Sequence, residues 1–242
     1  MILNTTREND ELKIVMPHKQ SVLSRALLWM GLGLAIIIVF AWGVLQSPQF
    51  SDFILRINNF YWLLLVINIV TVFAISFALM RPKTSLVLSA ILYIVFVTMQ
   101  AIFVSSTIIY SQIDFKMLIL LMLIPAGVFI LMGIIAHFSK INMTKLAPFL
   151  SFGAVALMIL GLVLIFVNNQ MLERWWLILA AIIFIGYIGF DIQMIIRADQ
   201  HLLLDQVDNK TINKFALLMG FNLLLDFVNL FSILIRLWRN FN

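Results

Sequence analysis

Seven stretches of this chain run for about twenty residues or more with scarcely a charge, at approximately 26–46, 60–80, 85–109, 117–138, 146–167, 174–196 and 214–235. A helix of roughly 20 residues crosses the ~30 Å hydrocarbon layer of a bilayer. In that layer every backbone N–H and C=O must be bonded internally, which leaves only helices and closed barrels. The period-two alternation of a barrel strand is missing. The expected fold is therefore all-α, a polytopic membrane protein with seven transmembrane helices in one domain over 1–242. Only 11% of the residues are charged, against about 25% in a soluble domain, so the lipid bilayer is the partner the chain is built for.

The basic residues follow the loops. Arg7, Lys13, Lys19, Arg25, Arg81, Lys83, Lys140, Lys145, Arg197, Lys210 and Lys214 fall on one side of the seven spans, against Arg56, Lys116, Arg174, Arg236 and Arg239 on the other. The positive-inside rule then puts the N-terminus, with a tail over 1–25, in the cytoplasm of a cell-membrane protein. It leaves Arg236 and Arg239 awkwardly outside, unless a re-entrant last segment returns them. Trp29, Trp42, Trp175, Trp176 and Trp238 lie near span ends, where interfacial anchors belong. The net charge of +5 thus reads as topology, and nucleic acid is not an expected partner. No signal-peptide pattern precedes the first span. Cysteine is absent, which excludes thiol catalysis and Cys-ligated metals. His18, His137 and His201 show no metal-ligand spacing.

Two aspartates break the hydrocarbon pattern. Asp191 lies in WWLILAAIIFIGYIGFDIQMII and Asp226 in FALLMGFNLLLDFVNLFSILI. A carboxylate near a bilayer centre costs about 2.5–3.5 kcal/mol on insertion scales, so such residues line cavities, pair, or move protons and ions. Asn222 and Asn229 sit at i−4 and i+3 from Asp226, making one polar stripe on its helix. Asp191 is about 9 Å along a helix from Arg197, and Asp226 about 18 Å from Lys214. Both then fall in the same half of the membrane on sequential antiparallel helices. Should they meet, they cannot both ionise cheaply and titrate as one unit, a basis for sensing pH; otherwise they are two separately satisfied aspartates. Arg81 ends the second span at a similar depth, as a surface anchor or, snorkelling inward, as a lock on an ionised aspartate.

These residues also carry a likeness. GYIGFDIQMIIR (186–197) and NLLLDFVNLFSILIRLW (222–238) resemble the sixth- and seventh-helix motifs of the Bax inhibitor-1 family, the transmembrane Bax inhibitor motif proteins. HFSKINMTKLAPFLSFG (137–153) is similar to that family's connection between helices four and five, and FALMRPK (77–83) to its second-helix end. The resemblance implies six helices around a central seventh, and for bacterial members a pH-sensitive calcium leak. Asp191 and Asp226 would be its pH sensor, in transient contact with calcium, and Arg81 the latch of the closed state. No cofactor is implied; calcium is the permeant ion. The third helix lacks the family's Gly-Leu-Ser-like stretch, and the connection between helices six and seven is long.

Other functions fit less of the pattern. An intramembrane aspartyl protease also needs two aspartates on neighbouring helices, but LLLDF lacks the Gly-x-Gly-Asp context of that class. A retinal receptor needs a lysine inside the last helix, and none is there. A regulator that binds a membrane protein partner, such as a protease or a cell-death regulator, stays open as the alternative.

Overall fold

A computed structural model describes residues 21–58, 61–81, 84–113, 115–138, 142–167, 169–204 and 208–241. Of the tail expected over 1–25, residues 1–20, with His18, lie outside the described residues, as does the anchoring Lys83, and residues 22–25 already belong to the first helix. The described chain is all-helical: α1 (Val22–Gln46), α2 (Pro48–Asn58), α3 (Tyr61–Met80), α4 (Leu86–Ser111), α5 (Phe115–Phe138), a 3-10 turn (Met143–Leu146), α6 (Ala147–Val167), α7 (Gln170–Leu204) and α8 (Asn209–Phe241). Six helices (α1 and α4 to α8) are long and apolar enough to cross a membrane. In α3 the described apolar section, Val66–Ala78, is shorter than a span.

Local chemistry sets the helix ends. Ser21 caps α1 by accepting from the Ser24 amide at 3.2 Å, and Ser85 caps α4 through the Leu88 amide at 3.2 Å. The Asn169 carboxamide oxygen takes the Met171 and Leu172 amides at 3.0 and 3.2 Å at the start of α7. Each cap satisfies backbone donors that a helix start leaves orphaned. Pro82 follows the end of α3, where proline disfavours helix in the residue before it. Gln112 closes α4 in the left-handed region, φ 49°.

Three departures from the sequence reading matter. The connection between the first two expected spans is itself a helix, α2, anchored by Ile54, which is fully buried, and by Phe50 against Phe40. Apolar residues at Phe50, Phe53 and Ile54 are too few to register as a span, though their spacing gives one helical face. The connection between helices six and seven, long by sequence, is largely a continuation of α7 to Leu204 and the start of α8 at Asn209. And α8 runs unbroken through Arg236 and Arg239. Arg236 meets Glu173 of α7 at 2.8 Å, while the Arg174 guanidinium donates to the Asn240 carbonyl. The awkward Arg236 therefore has a counter-charge at its own end of the bundle.

α8 is the most enclosed candidate span, with 67% of its apolar window buried against 17% for α6. It packs on α1, α7, α4 and α5, and touches α3 lightly. Phe221 meets Phe96 of α4 edge-on at 4.8 Å, and Phe227 meets Phe129 of α5 at 5.8 Å. Against α1 the backbones come close. A Cβ on Gly220 would lie 2.6 Å from the Trp29 Cβ and 2.7 Å from the Ala26 carbonyl oxygen, so only glycine fits. Close approach at small residues is how helices gain packing where lipid removes the hydrophobic drive. The Tyr93 hydroxyl of α4 adds a hydrogen bond to the Trp29 carbonyl at 2.5 Å.

Candidate functional site: a buried carboxylate pair

α7 and α8 are joined by a short connection and pack along their length. Asp191 is thirteen residues before Leu204 and Asp226 seventeen after Asn209, or about 20 and 26 Å along their axes. The two carboxylates thus come level to within about one helical turn. They are 6% exposed each, and Asp191 is an electrostatic neighbour of Asp226. Among the described residues Asp226 Oδ2 has no hydrogen-bond partner. A buried carboxylate oxygen without a donor is costly, and a proton or a passing cation relieves it.

Tyr187 completes the site. It is one turn before Asp191 on the same face of α7, lies within electrostatic reach of both carboxylates, and hydrogen-bonds to Ser151 of α6. Beyond it a crevice of about 310 Å³ opens between α6, α7 and α8, lined by Tyr187 and Trp176 of α7 and by Asn229, Ser232 and Arg236 of α8. Of the expected stripe, Asn229 faces this crevice, while Asn222, half-buried, is one turn to the other side of Asp226. The stripe is longer than expected, continuing through Ser232 to Arg236, whose guanidinium lies 5.2 Å from the Trp176 ring. Ser232 and Arg236 lie three and seven positions after Asn229, on its face of the helix and about 120° and 80° around from Asp226, so the polar line drifts off the Asp226 face toward the crevice.

Arg81 stands elsewhere. It is exposed, and its guanidinium lies 4.1 Å over the Phe77 ring rather than on a carboxylate. The cation that ties α3 to α8 is Lys214, whose ammonium donates to the Arg81 carbonyl and, at 3.3 Å, to the Thr84 carbonyl. Cations are favoured at helix C-termini, where carbonyls are left over. At this same end of the bundle Asp199 accepts the Val22 amide at 3.0 Å, and Arg25 donates to Asn213. Gln193, within GYIGFDIQMIIR, holds the connection between α5 and α6: its Oε1 accepts the buried Met143 amide at 2.6 Å. His137 is exposed and edge-on to Phe138.

Among the described residues no group of three or more His, Cys, Asp and Glu is gathered that would hold a metal ion. Calcium takes six to eight oxygens, more than two carboxylates supply. Asn229 and Ser232 add neutral oxygens along the crevice.

Comparison with known proteins places this geometry in company. A family model described as inhibitor of apoptosis-promoting Bax1 matches residues 19–242. An uncharacterized protein of Borreliella burgdorferi is 28% identical over 97% of this chain and 97% of its own length. Inner membrane protein YbhL of Escherichia coli K12 is 22% identical, covering 94% of this chain and 95% of its own length.

Proposed function

The chain belongs to the Bax inhibitor-1 family of multi-pass membrane proteins, and from that premise we propose that it is a pH-sensitive calcium leak of the cell membrane, gated by protonation of Asp191 and Asp226. The observation that carries the reading is the buried pair itself: two neighbouring carboxylates in the α7–α8 interface, one with an oxygen that no donor among the described residues meets. In a low-dielectric site two such groups cannot both ionise without strong repulsion. The pair therefore changes charge as a unit when the proton supply changes. Ionised, it draws a divalent cation; protonated, it does not.

In this reading α3 is the seventh span, and α8 is the central helix around which the other six stand. The end of the bundle holding Arg25, Arg81 and Lys214 faces the cytoplasm, following the bias of basic residues. The crevice past Tyr187, Asn229 and Ser232 serves as the route between the pair and the opposite side. Arg81 is the latch of the closed state, reached by an inward movement of the end of α3, since Lys214 beside it stands about 18 Å along α8 from Asp226. The aspartates exchange protons and ions and cleave no bond.

The test is calcium efflux from proteoliposomes of purified protein across a pH series. The parent responds to pH, and Asp191→Asn and Asp226→Asn each flatten the response. If both variants titrate like the parent, the sensor assignment is wrong. Efflux that appears only after a co-purified membrane protein is restored would instead make the chain a regulator of that partner.

A further inference from the structure

At the end of the bundle where α1 and α8 begin, an open groove of about 720 Å³ lies between α1, α4 and α8. Its lining is divided by depth. Arg25, Asn209 and Asn213 stand at the outer end, and Leu28 and Leu32 follow Arg25 along the same face of α1. Those leucines are about 4.5 and 10 Å deeper along the helix. They are 65% and 48% exposed, so the inner wall of the groove is continuous with the lipid-facing surface.

The polar end offers donors. The Arg25 guanidinium bonds to the Asn213 carboxamide oxygen, which leaves the amide NH₂ of Asn213 pointing away as a donor. Asn209 is one turn earlier on the same face of α8, and Lys210 beside it is exposed. Among the described residues no carboxylate pairs with Arg25. Asp199 and Asp208 are occupied in capping the starts of α1 and α8. Trp29 forms the wall between the two ends. Its backbone carbonyl is fixed by the Tyr93 hydroxyl, its ring meets Tyr93 edge-on at 5.7 Å, and Gly220 makes room for its Cβ. The groove is thus held open by packing in the bundle.

We propose that this groove binds one anionic phospholipid, its phosphate on Arg25, Asn209 and Asn213 and an acyl chain along Leu28 and Leu32. A guanidinium matches phosphate oxygens in two-point geometry. Basic pockets between transmembrane helices at the headgroup level recognise acidic lipids. With a cation and amide donors but no acidic acceptor among its described lining residues, the groove favours a headgroup of net negative charge over a zwitterionic one.

The experiment is native mass spectrometry of the full-length protein titrated with phosphatidylglycerol or phosphatidylcholine. A second arm measures Trp29 fluorescence in nanodiscs containing the brominated form of either lipid, with the other five tryptophans changed to phenylalanine. Phosphatidylglycerol is retained preferentially and quenches Trp29 more than phosphatidylcholine does. Arg25→Gln weakens the preference about five-fold, the effect of one lost cation at the membrane surface, and Lys116→Gln at the opposite end leaves it unchanged. Should Arg25→Gln fail to fold, Asn209→Leu blocks the groove without touching the Arg25–Asn213 bond, and the same loss is expected. Equal retention of the two lipids, or unchanged preference in Arg25→Gln or Asn209→Leu, overturns the proposal. So does displacement of the lipid by millimolar inorganic phosphate, which would make this a site for the free anion. None of these readouts depends on calcium flux.

Discussion

Gly220→Ala tests whether the α1–α8 contact is as tight as the backbone geometry requires. The added Cβ would stand 2.6 Å from the Trp29 Cβ, 2.7 Å from the Ala26 carbonyl oxygen and 3.3 Å from the Met30 amide nitrogen. Carbon pairs rest at about 3.5–4.0 Å, so α1 must retreat by about 1 Å at this level. Two of the three obstacles are backbone atoms and the third is a Cβ, and none of them can rotate aside. Overpacking of this kind costs about 1–3 kcal/mol. Two companion variants separate the clash from the intrinsic gain of alanine over glycine in a helix, about 1 kcal/mol. Gly31→Ala meets nothing within 4 Å, and Gly186→Ala meets the movable tip of Leu150 at 2.7 Å. Unfolding in detergent, followed by circular dichroism, should rank Gly220→Ala below Gly186→Ala, and Gly186→Ala at or below Gly31→Ala. The gap between the first and last is about 1–3 kcal/mol. If Gly220→Ala and Gly31→Ala melt alike, α1 and α8 are not held at this distance.

Further outcomes are expected elsewhere. Gln193→Leu strips the buried Met143 amide of its acceptor and should destabilise the protein by about 1–3 kcal/mol; a melting point equal to the parent's would mean another acceptor takes over. Lys214→Ala removes the tie between α8 and the end of α3. Spin labels on Phe73→Cys and Phe149→Cys, placed without background in a chain with no cysteine, should then report a broader α3 distance, with Lys214→Arg restoring it and an unchanged distribution counting against the tie. Asp208 has its carboxyl held below the ordinary carboxylate range, chiefly by the Thr211 side chain and then by backbone amides. A depressed folded value contributes stability above the unfolded value near 4, lost as pH falls through the lower one. Asp208→Asn should therefore leave the efflux profile at near-neutral pH unchanged, and a shifted profile would move the sensor away from the buried pair.

Length and hydropathy made the long helices legible, because a bilayer-spanning run needs no tertiary information to be recognised. Asp191 and Asp226 were legible for the same reason, as the costliest residues in those runs. Spacing alone also put Asn229 on the Asp226 face. What spacing does not carry is the angle at which one helix meets another. Its place after the second span gives Arg81 an expected depth near Asp191, yet the structure sets it beside Lys214 at the end of the bundle, with its guanidinium over Phe77. Lys214, read from sequence as one more interfacial charge, reaches the carbonyls next door. Glu173 gave no sign of Arg236, since 63 residues separate them and only the antiparallel packing of α7 on α8 brings them together. α2 went unread because eleven residues with few apolar ones fall below any span criterion.

Asp191 and Gln193 are two positions apart on α7, roughly 200° around its axis. One faces the carboxylate of α8; the other grips the Met143 amide at the connection between α5 and α6. A rotation of α7 that turns Asp191 off its neighbour swings Gln193 off that amide by the same angle. The orientation of an acidic group deep in the bundle is thereby geared to a turn at its surface. Under the proposed function, a push on Met143–Leu146 that turned α7 would reach the carboxylates without travelling along the ion route.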